Sequence, residues 1–384
     1  MVTRATALNP AVLRWAREQA GLSVEEAASR IGKSGTALAE WEAGERFPTY
    51  NQLEALAERV YRRPVALFFL PAPPDEVPPV SEFRTLPDPE KESLEPDTLL
   101  ALREARAFQE SARQLSEGRN PAERQIWRDL HASAGDIRGL AGRVRGYLGV
   151  SIAEQTAWRS NRDAMSEWRE RVEAAGVFVF KRSFEQRDVS GFCLDDPEFP
   201  IIVINNSTAF SRQIFTLLHE LAHILFDVSG ITRVDSSFIE RLSGEEGRIE
   251  VACNRFAAEV LVPEEAFPWS LFSQRPHDEA VSEVALRFNV SREVILRRLL
   301  DAGRVSSTEY REKAWEWFQE YQNADRGRGG NYYNTKAAYL GRAFLDLAFS
   351  QFYAGRVSLP DLADHLGVKA RNVGRLEETL LARK

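Results

Sequence analysis

The sequence predicts an α+β protein that is predominantly helical, with an all-α N-terminal domain, a central domain carrying a short β-sheet, and a helical C-terminal module. Three observations support this fold class. Apolar residues recur at helical spacing through residues 10–70. Between residues 177 and 204 the pattern changes to short, turn-bounded segments rich in β-branched and aromatic residues, which is typical of strands. Helical spacing returns from residue 209 onward.

The N-terminal segment, residues 1–70, predicts a helix–turn–helix domain made of short helices. Ser23 and Glu26 form a capping-box pattern that starts one helix, and Gly32 provides the tight turn that ends it. The second helix of the motif is expected over residues 34–43, where a further glycine stops it.

A linker and a charged helical stretch separate this domain from the predicted sheet. The segment PAPPDEVPP lies in a proline-rich linker over residues 71–90, where proline prevents continuous helix. Residues 91–175 are highly charged and mostly helical in pattern. The strands are predicted over residues 177–180, 189–193 and 201–204.

The remainder of the chain predicts helices and one more linker. A central domain is expected over residues 91–325, and a helical C-terminal module over residues 326–384. The Gly/Arg-rich segment ADRGRGGN, residues 324–331, marks the boundary between them. The central helices are predicted over residues 209–226, 246–261, 278–287, 291–301 and 306–322.

Composition excludes several classes of protein. The chain has 384 residues and only two cysteines, Cys193 and Cys253, so a disulfide scaffold is excluded and a cytoplasmic location is expected. No apolar run approaches the ~18 residues of a membrane-spanning helix, so no membrane partner is expected. Cys253 is interpreted as an inert buried thiol, with redox sensing as the alternative.

The formal net charge of −7 is unevenly distributed. Residues 1–70 have a net charge of +1 and residues 326–384 of +5, which leaves −13 in the middle of the chain. Weakly basic ends around an acidic middle predict separate modules with different partners.

The strongest chemical signal is the segment TLLHELAHILF, residues 216–226. His219 and His223 are four residues apart, so on a helix they share one face and can hold one metal ion from consecutive turns. Glu220 lies next to the first histidine, from where its carboxylate can reach a metal-bound water. The alternative is two histidines on an ordinary amphipathic helix.

A catalytic zinc site needs a third protein ligand. The segment RIEVACNRFAAEVLVP, residues 248–263, offers Glu250, with Asn254 on the same helical face. Asn254 can orient a ligand histidine by hydrogen bonding to its other ring nitrogen. Glu245 and Glu246 are competing candidates for the third ligand.

The HELAH segment followed by E-x-x-x-N-x-F-A-A-x-x-L-x-P resembles the ImmA/IrrE family of metallopeptidases. An N-terminal Cro/CI-type (Xre-type) helix–turn–helix joined to such a domain is a known arrangement in that family. The resemblance implies a zincin fold of the gluzincin type, with His219, His223 and Glu250 as ligands and Glu220 as catalytic base. It implies a zinc endopeptidase that cuts helix–turn–helix repressors in stress or mobile-element responses. Manganese is the alternative ion for such a ligand set.

Two further expectations concern substrate and DNA. The strand PIIVINN, residues 200–206, is expected to be an edge strand that pairs with an extended peptide substrate. In an Xre-type domain the second motif helix enters the major groove, and dimerisation is the expected route to useful affinity. Protein docking is the alternative role of this domain. The candidate DNA contacts are Lys33, Ser34, Thr36, Glu40 and Arg46.

The C-terminal segment SLPDLADHLGVKARNVGRLEE looks like a second copy of the same helix–turn–helix pattern. Lys369, Arg371 and Arg375 fall along one predicted helix and could contact phosphates. A helical cap or a dimerisation module is the alternative. A third, weaker copy is expected over residues 282–299.

The leading prediction is therefore a zinc-dependent endopeptidase with a DNA-binding helix–turn–helix domain. One alternative is a transcriptional regulator in which the metallopeptidase-like domain senses a signal or processes the chain itself. Another is an antitoxin-like repressor. An intact His219–Glu220–His223 motif favours the enzyme, because holding a metal for structure alone would not require Glu220.

Overall fold

The computed structural model describes residues 4–76, 93–130, 132, 135–186, 188–233, 244–274, 277–323 and 331–382. These residues form two compact units, one comprising the described residues up to Glu104 and the other those from Ala105 onward. The fold is α+β and predominantly helical, which confirms the predicted class.

The first unit is built from short helices around an apolar core that includes Leu13, Leu38 and Leu53. Ser23 caps the second helix in a capping box with Glu26, as predicted. The helices are α1 (Pro10–Gln19), α2 (Val24–Ser29), α3 (Gly35–Glu42) and α4 (Tyr50–Glu54), the last continuing as a π-helical turn over Ala55–Tyr61, followed by a 3₁₀ helix over Val65–Phe69.

Helix α5 (Pro96–Leu115) is followed by four helices and a sheet in the second unit. These helices are α6 (Ile126–Asp129), α7 (Ile137–Leu148), α8 (Ile152–Ala157) and α9 (Asn161–Ala174). The strands are β1 (Phe178–Arg182), β2 (Val189–Leu194), β3 (Ile201–Asn205) and β4 (Ile231–Arg233).

The strand order in the sheet is β1-β3-β2-β4. β1 runs parallel to β3, whereas β2 is antiparallel to both β3 and β4. The prediction that residues 200–206 form an edge strand is therefore wrong, since β3 has a partner on each side. All five residues of β3 are buried, which is typical of a central strand covered on both faces. Strand β4 was not predicted.

The helices that follow complete the second unit. Helices α10 and α11 pack against each other, and α10 also packs against β2. Gly191 of β2 permits this close approach, because a side chain there would meet Thr216 at 2.5 Å. The helices are α10 (Phe210–Leu225), α11 (Gly244–Leu261), α12 (Leu271–Gln274), α13 (His277–Phe288), α14 (Arg292–Asp301), α15 (Ser307–Asn323), α16 (Tyr332–Leu340), α17 (Arg342–Tyr353), α18 (Leu359–Leu366) and α19 (Val373–Leu381).

The C-terminal helices are fixed to this unit by a buried ion pair on α9. Arg169 donates to Glu173 (Nε···Oε1 2.9 Å) and to the carbonyl of Ala338 (2.6 Å). Glu173 accepts from the backbone N–H of Ala343 at 3.3 Å. Gly341, at the turn between α16 and α17, has φ +81°, and a side chain there would collide with the pair.

Several predicted boundaries stay predictions. The domain limits at residues 70, 90 and 325 remain predictions, and linker residues 77–90 and 324–330 lie outside the described part of the chain. Among the helices that the structure describes, none has the length and apolar character needed to cross a bilayer.

Candidate metal centre

Helix α10 brings His219 and His223 together on its buried face. Their Nε2 atoms lie 3.1 Å apart, and both side chains are at most 1% exposed. The helix forms because a wide apolar stripe, including Leu217, Leu218 and Leu221, is fully buried around the two histidines. The sequence therefore places the two imidazoles on the buried face of the helix among apolar side chains.

Helix α11 supplies the third predicted donor. The Glu250 carboxylate lies 3.3 Å from His219 Nε2 and 3.2 Å from His223 Nε2. The side chains of Glu245 and Glu246 lie outside the described part of the chain.

Asn254, one turn after Glu250, orients the first histidine. Its Oδ1 lies 3.1 Å from His219 Nδ1. A proton on Nδ1 would be donated to this oxygen, so the Nε2 lone pair would face Glu250 and His223. The structure thus brings together four of the residues predicted on these two helices, His219, His223, Glu250 and Asn254, and gives Asn254 the contact expected of it.

Glu220 lies beside these donors, and its two carboxylate oxygens differ in their hydrogen bonding. The hydroxyl of Thr232 on β4 donates to Oε1, whereas Oε2 is buried and has no hydrogen-bond partner among the described residues. Burial raises the pKa of Glu220, although the neighbouring histidines and Thr232 oppose that rise. A carboxyl group with a raised pKa and one free oxygen suits proton transfer near neutral pH.

The charges at the site are strongly coupled. Burial alone would raise the pKa of Glu250, but His223 and His219 outweigh it and hold the pKa well below its usual range. Burial disfavours a charge on His223, yet Cys253 and the Glu250 carboxylate hold its pKa well above the ordinary value. Glu250 is therefore an anion that attracts positive charge to the point between the two imidazoles.

The donor spacing fits a zinc ion. With bonds of about 2.0–2.1 Å, neighbouring ligand atoms of tetrahedral zinc lie about 3.3–3.4 Å apart. The two Nε2 atoms of His219 and His223 lie 3.1 Å apart, and each oxygen of Glu250 faces one of them, with Oε2 3.3 Å from His219 Nε2 and Oε1 3.2 Å from His223 Nε2. Cys253 is a fourth donor nearby, since its Sγ and one nitrogen of each histidine all lie within 4.8 Å of one another. Burial raises the pKa of this thiol, which disfavours the thiolate that a metal requires.

Three residues around the site were missed by the sequence reasoning. Thr232 holds Glu220, and Gly230 lies so close to His223 that a side chain there would meet the imidazole at 2.6 Å. Cys193 of β2 pairs with Gly230, accepting from its N–H at 3.3 Å and donating its own backbone N–H to its carbonyl at 3.0 Å. The SGIT segment, residues 229–232, gave no signal because its importance comes from packing against α10.

The candidate DNA contacts lie where an outward-facing helix would present them. Lys33, Ser34 and Thr36 are exposed around the start of α3. Ser34 also caps α3 by accepting a backbone N–H. Glu40 pairs with Arg46 at 3.2 Å, so these two candidates neutralise each other. Their contact with DNA stays a prediction.

Comparison with known proteins agrees with both modules. Residues 172–300 match the peptidase family described as the IrrE N-terminal-like domain, and residues 11–67 match a helix-turn-helix domain family. The radiation response metalloprotease IrrE of Deinococcus radiodurans is 37% identical over 98 residues, covering 25% of this chain and 29% of the relative. The protein of the same name from Deinococcus deserti is 37% identical over 98 residues, covering 25% and 34%. This chain thus spans about a third of the length of the curated relatives it matches.

Proposed function

We propose that this chain, which contains a helix-turn-helix domain and an IrrE N-terminal-like peptidase domain, is a zinc-dependent endopeptidase that cleaves a transcriptional repressor or regulator. The observation that carries the proposal is the convergence of His219, His223 and Glu250 beside the unpartnered oxygen of Glu220. A purely structural metal site would not need a free carboxylate oxygen there.

His219, His223 and Glu250 would hold the ion, and Asn254 would keep His219 in the required tautomer. When bound, zinc would supply Lewis acidity toward the scissile carbonyl and would acidify water. Manganese would be accepted by the same donors with a change of geometry.

Glu220 would act as the general base. Its Oε2 takes a proton from the attacking water, while the Thr232 hydroxyl holds Oε1 in place. The same carboxyl group then delivers the proton to the leaving amine of the cleaved peptide. Burial, which raises the pKa of Glu220, makes both transfers feasible near neutral pH.

Strand β4 replaces β3 as the candidate substrate-binding strand. It is an edge of the sheet among the described strands, and its Thr232 contacts Glu220. The opposite edge strand, β1, packs against α16. An extended peptide that adds to β4 would gain main-chain hydrogen bonds next to the catalytic carboxylate.

Glu220→Gln tests the catalytic role. The amide keeps the shape of the side chain but removes the base, so we expect normal zinc content and a loss of cleavage of at least about 100-fold. Zinc is measured by mass spectrometry. Cleavage is assayed on purified helix–turn–helix repressors encoded by neighbouring genes and on the chain itself. Equal cleavage by the Gln variant and the wild type would contradict the mechanism.

The match of residues 11–67 to a helix-turn-helix domain supports a second candidate, a DNA-binding regulator whose peptidase-like domain senses a signal or processes the chain. The Glu220→Gln experiment separates the endopeptidase from the sensor form of this candidate, whereas a self-processing regulator would cleave its own chain and no separate repressor. A regulator of the sensor type would retain zinc-dependent DNA binding in this variant, with no cleaved protein in the wild type.

A further inference from the structure

We propose that α18 and α19 form a second DNA-binding surface, in which Lys369, Arg371 and Arg375 contact the phosphates of double-stranded DNA. This surface lies in the C-terminal module, outside the metal centre and outside the N-terminal helix-turn-helix domain.

The backbone of this module repeats the N-terminal motif position by position. Ser358 caps α18 in a capping box with Asp361, as Ser23 does for α2 with Glu26. Nine residues after each capping serine comes a left-handed glycine, Gly32 with φ +66° and Gly367 with φ +60°. The second helical stretch begins three residues after the glycine in both, at Gly35 and Ala370. The buried positions also correspond in order: Ala27, Ala28, Leu38 and Trp41 in the first motif, and Leu362, Ala363, Val373 and Leu376 in the second.

The outward positions of the two motifs differ in charge. All three cations of the C-terminal motif are exposed: Lys369 caps the start of the second helical stretch, Arg371 lies in its opening 3₁₀ turn (Ala370–Asn372), and Arg375 lies in α19. A recognition helix presents this part to the groove and the flanking phosphates. The corresponding positions of the N-terminal motif hold Ser34, Thr36 and Glu40.

These three cations are available to a ligand. None forms an ion pair with another described residue, whereas Glu40 of the N-terminal motif is already paired with Arg46. Arg375 lies over the Tyr333 ring at 5.8 Å, and the Tyr333 hydroxyl lies 3.3 Å from Asn372 Oδ1, so α16 supports the start of α19. The segment from Lys369 to Arg375 contains no acidic residue, and the acidic residues of the two helices, Asp361, Asp364, Glu377 and Glu378, lie on either side of it in the sequence.

The third predicted copy of the helix–turn–helix pattern, over residues 282–299, differs from the C-terminal copy in how its arginines are used. Two arginines of its second helix, α14, are already paired: Arg292 with Glu320 at 2.5 Å in an exposed pair, and Arg298 with Glu259 at 2.5 Å in a buried pair. Val294, Ile295, Leu296 and Leu299 of the same helix are buried. Helix α14 is therefore part of the core. A helix–turn–helix with a free cationic face is found in α18–α19, and duplex DNA is the ligand that matches both the motif and the charge.

The test uses the full-length chain and the triple variant Lys369→Ala, Arg371→Ala, Arg375→Ala. The matched control removes three exposed arginines from the same unit, Arg287→Ala, Arg304→Ala and Arg311→Ala. Binding to a labelled mixed-sequence duplex of about 30 base pairs is titrated by fluorescence anisotropy at several salt concentrations. Three lost phosphate contacts should lower the slope of log affinity against log salt by about 2 to 3 and weaken binding about tenfold or more at low salt. The control should bind like the wild type.

A second measurement keeps the proposal testable if the triple variant folds poorly. Duplex DNA should protect the Lys369 amine of the wild-type chain from acylation, as measured by mass spectrometry, while the exposed Lys33 reports separately on the N-terminal domain. Unchanged acylation of Lys369 at saturating DNA, or a triple variant with the wild-type salt slope, would overturn the proposal. Equal protection by single-stranded RNA or by poly-glutamate of the same charge would also reject it.

Discussion

At the scale of single residues, two side chains of α11 are candidates for the third ligand of the proposed metal site. Glu250 lies 3.2 and 3.3 Å from the two imidazoles, and Cys253 lies within 4.8 Å of them. The two donors differ in charge at neutral pH, because the pKa of Glu250 is held low while burial raises that of Cys253. The carboxylate is therefore ready to bind a cation, whereas the thiol must first lose a proton.

Substituting each donor separately decides between them. Glu250→Ala should lower zinc affinity at least about 100-fold, and Cys253→Ser should retain one zinc per chain, because only the first substitution removes the prepared anion. Zinc affinity is measured by competition with a chromophoric chelator at pH 7. Zinc loss in the serine variant with retention in the Glu250→Ala variant would assign the site to the thiol.

The proximity of the candidate ligands could be predicted in part from the sequence, because helix periodicity relates the residues of each pair. His219 and His223 share a face by spacing alone, and so do Glu250 and Asn254. Thr232 and Gly230 could not be predicted, since their roles depend on how β4 packs against α10. A three-residue strand such as Ile231–Arg233 has too few residues for alternation to show.

At the scale of elements, the position of β3 in the sheet was wrong while its residues were right. A segment such as Ile201–Asn205, buried throughout, fits a central strand better than an edge strand. The position of a strand in a sheet depends on which strands it pairs with. β3 pairs in parallel with β1 and antiparallel with β2, and so lies between them. The hydrophobic pattern of a single strand does not indicate which strands it will pair with.

The ion pair on α9 provides an element-scale prediction. Arg169→Ala would leave Glu173, whose pKa burial already raises, without its charged partner. We expect a loss of about 3–5 kcal/mol in the free energy of unfolding, because a buried charge loses its partner and the turn between α16 and α17 loses a contact. Urea unfolding measures the change.

The control for that prediction is an exposed pair with the same spacing along a helix. Arg342 and Asp346 lie 3.4 Å apart with side chains 41% and 53% exposed. Arg342→Ala should cost less than about 1 kcal/mol, since exposed pairs contribute little. Similar losses in the two variants would show that burial does not distinguish these pairs.

At the scale of the whole molecule, the charge distribution seen in the sequence acquires a structural meaning. The acidic middle of the chain contains the candidate metal centre, where Glu220 and Glu250 are buried. The basic C-terminal residues include three exposed cations on one helix–turn–helix surface, which net charge alone could not locate. The total of −7 therefore describes neither module.

Buried charge also determines how stability depends on pH, and Lys181 on β1 gives the clearest case. It is 9% exposed and donates to Gln213 Oε1 at 2.9 Å. Burial, reinforced by the charge of Arg169, lowers its pKa to about 7. The folded state therefore lacks a proton that the unfolded chain binds, so burying neutral Lys181 costs stability, and this cost is absent at high pH and grows as pH falls toward 7.

Lys181→Met removes this linkage. Between pH 9 and pH 7 the wild type should lose about 2 kcal/mol more of its free energy of unfolding than the variant, because one proton is taken up on unfolding across that interval. Lys313→Met is the control: its ammonium pairs with Asp278 at 2.7 Å, which raises its pKa, so it stays charged throughout. Urea unfolding of each protein at the two pH values gives the difference. If Lys181→Met shows the same pH dependence as the wild type, Lys181 is charged in the folded protein, and the buried side chain must have a counter-charge or water that keeps it so.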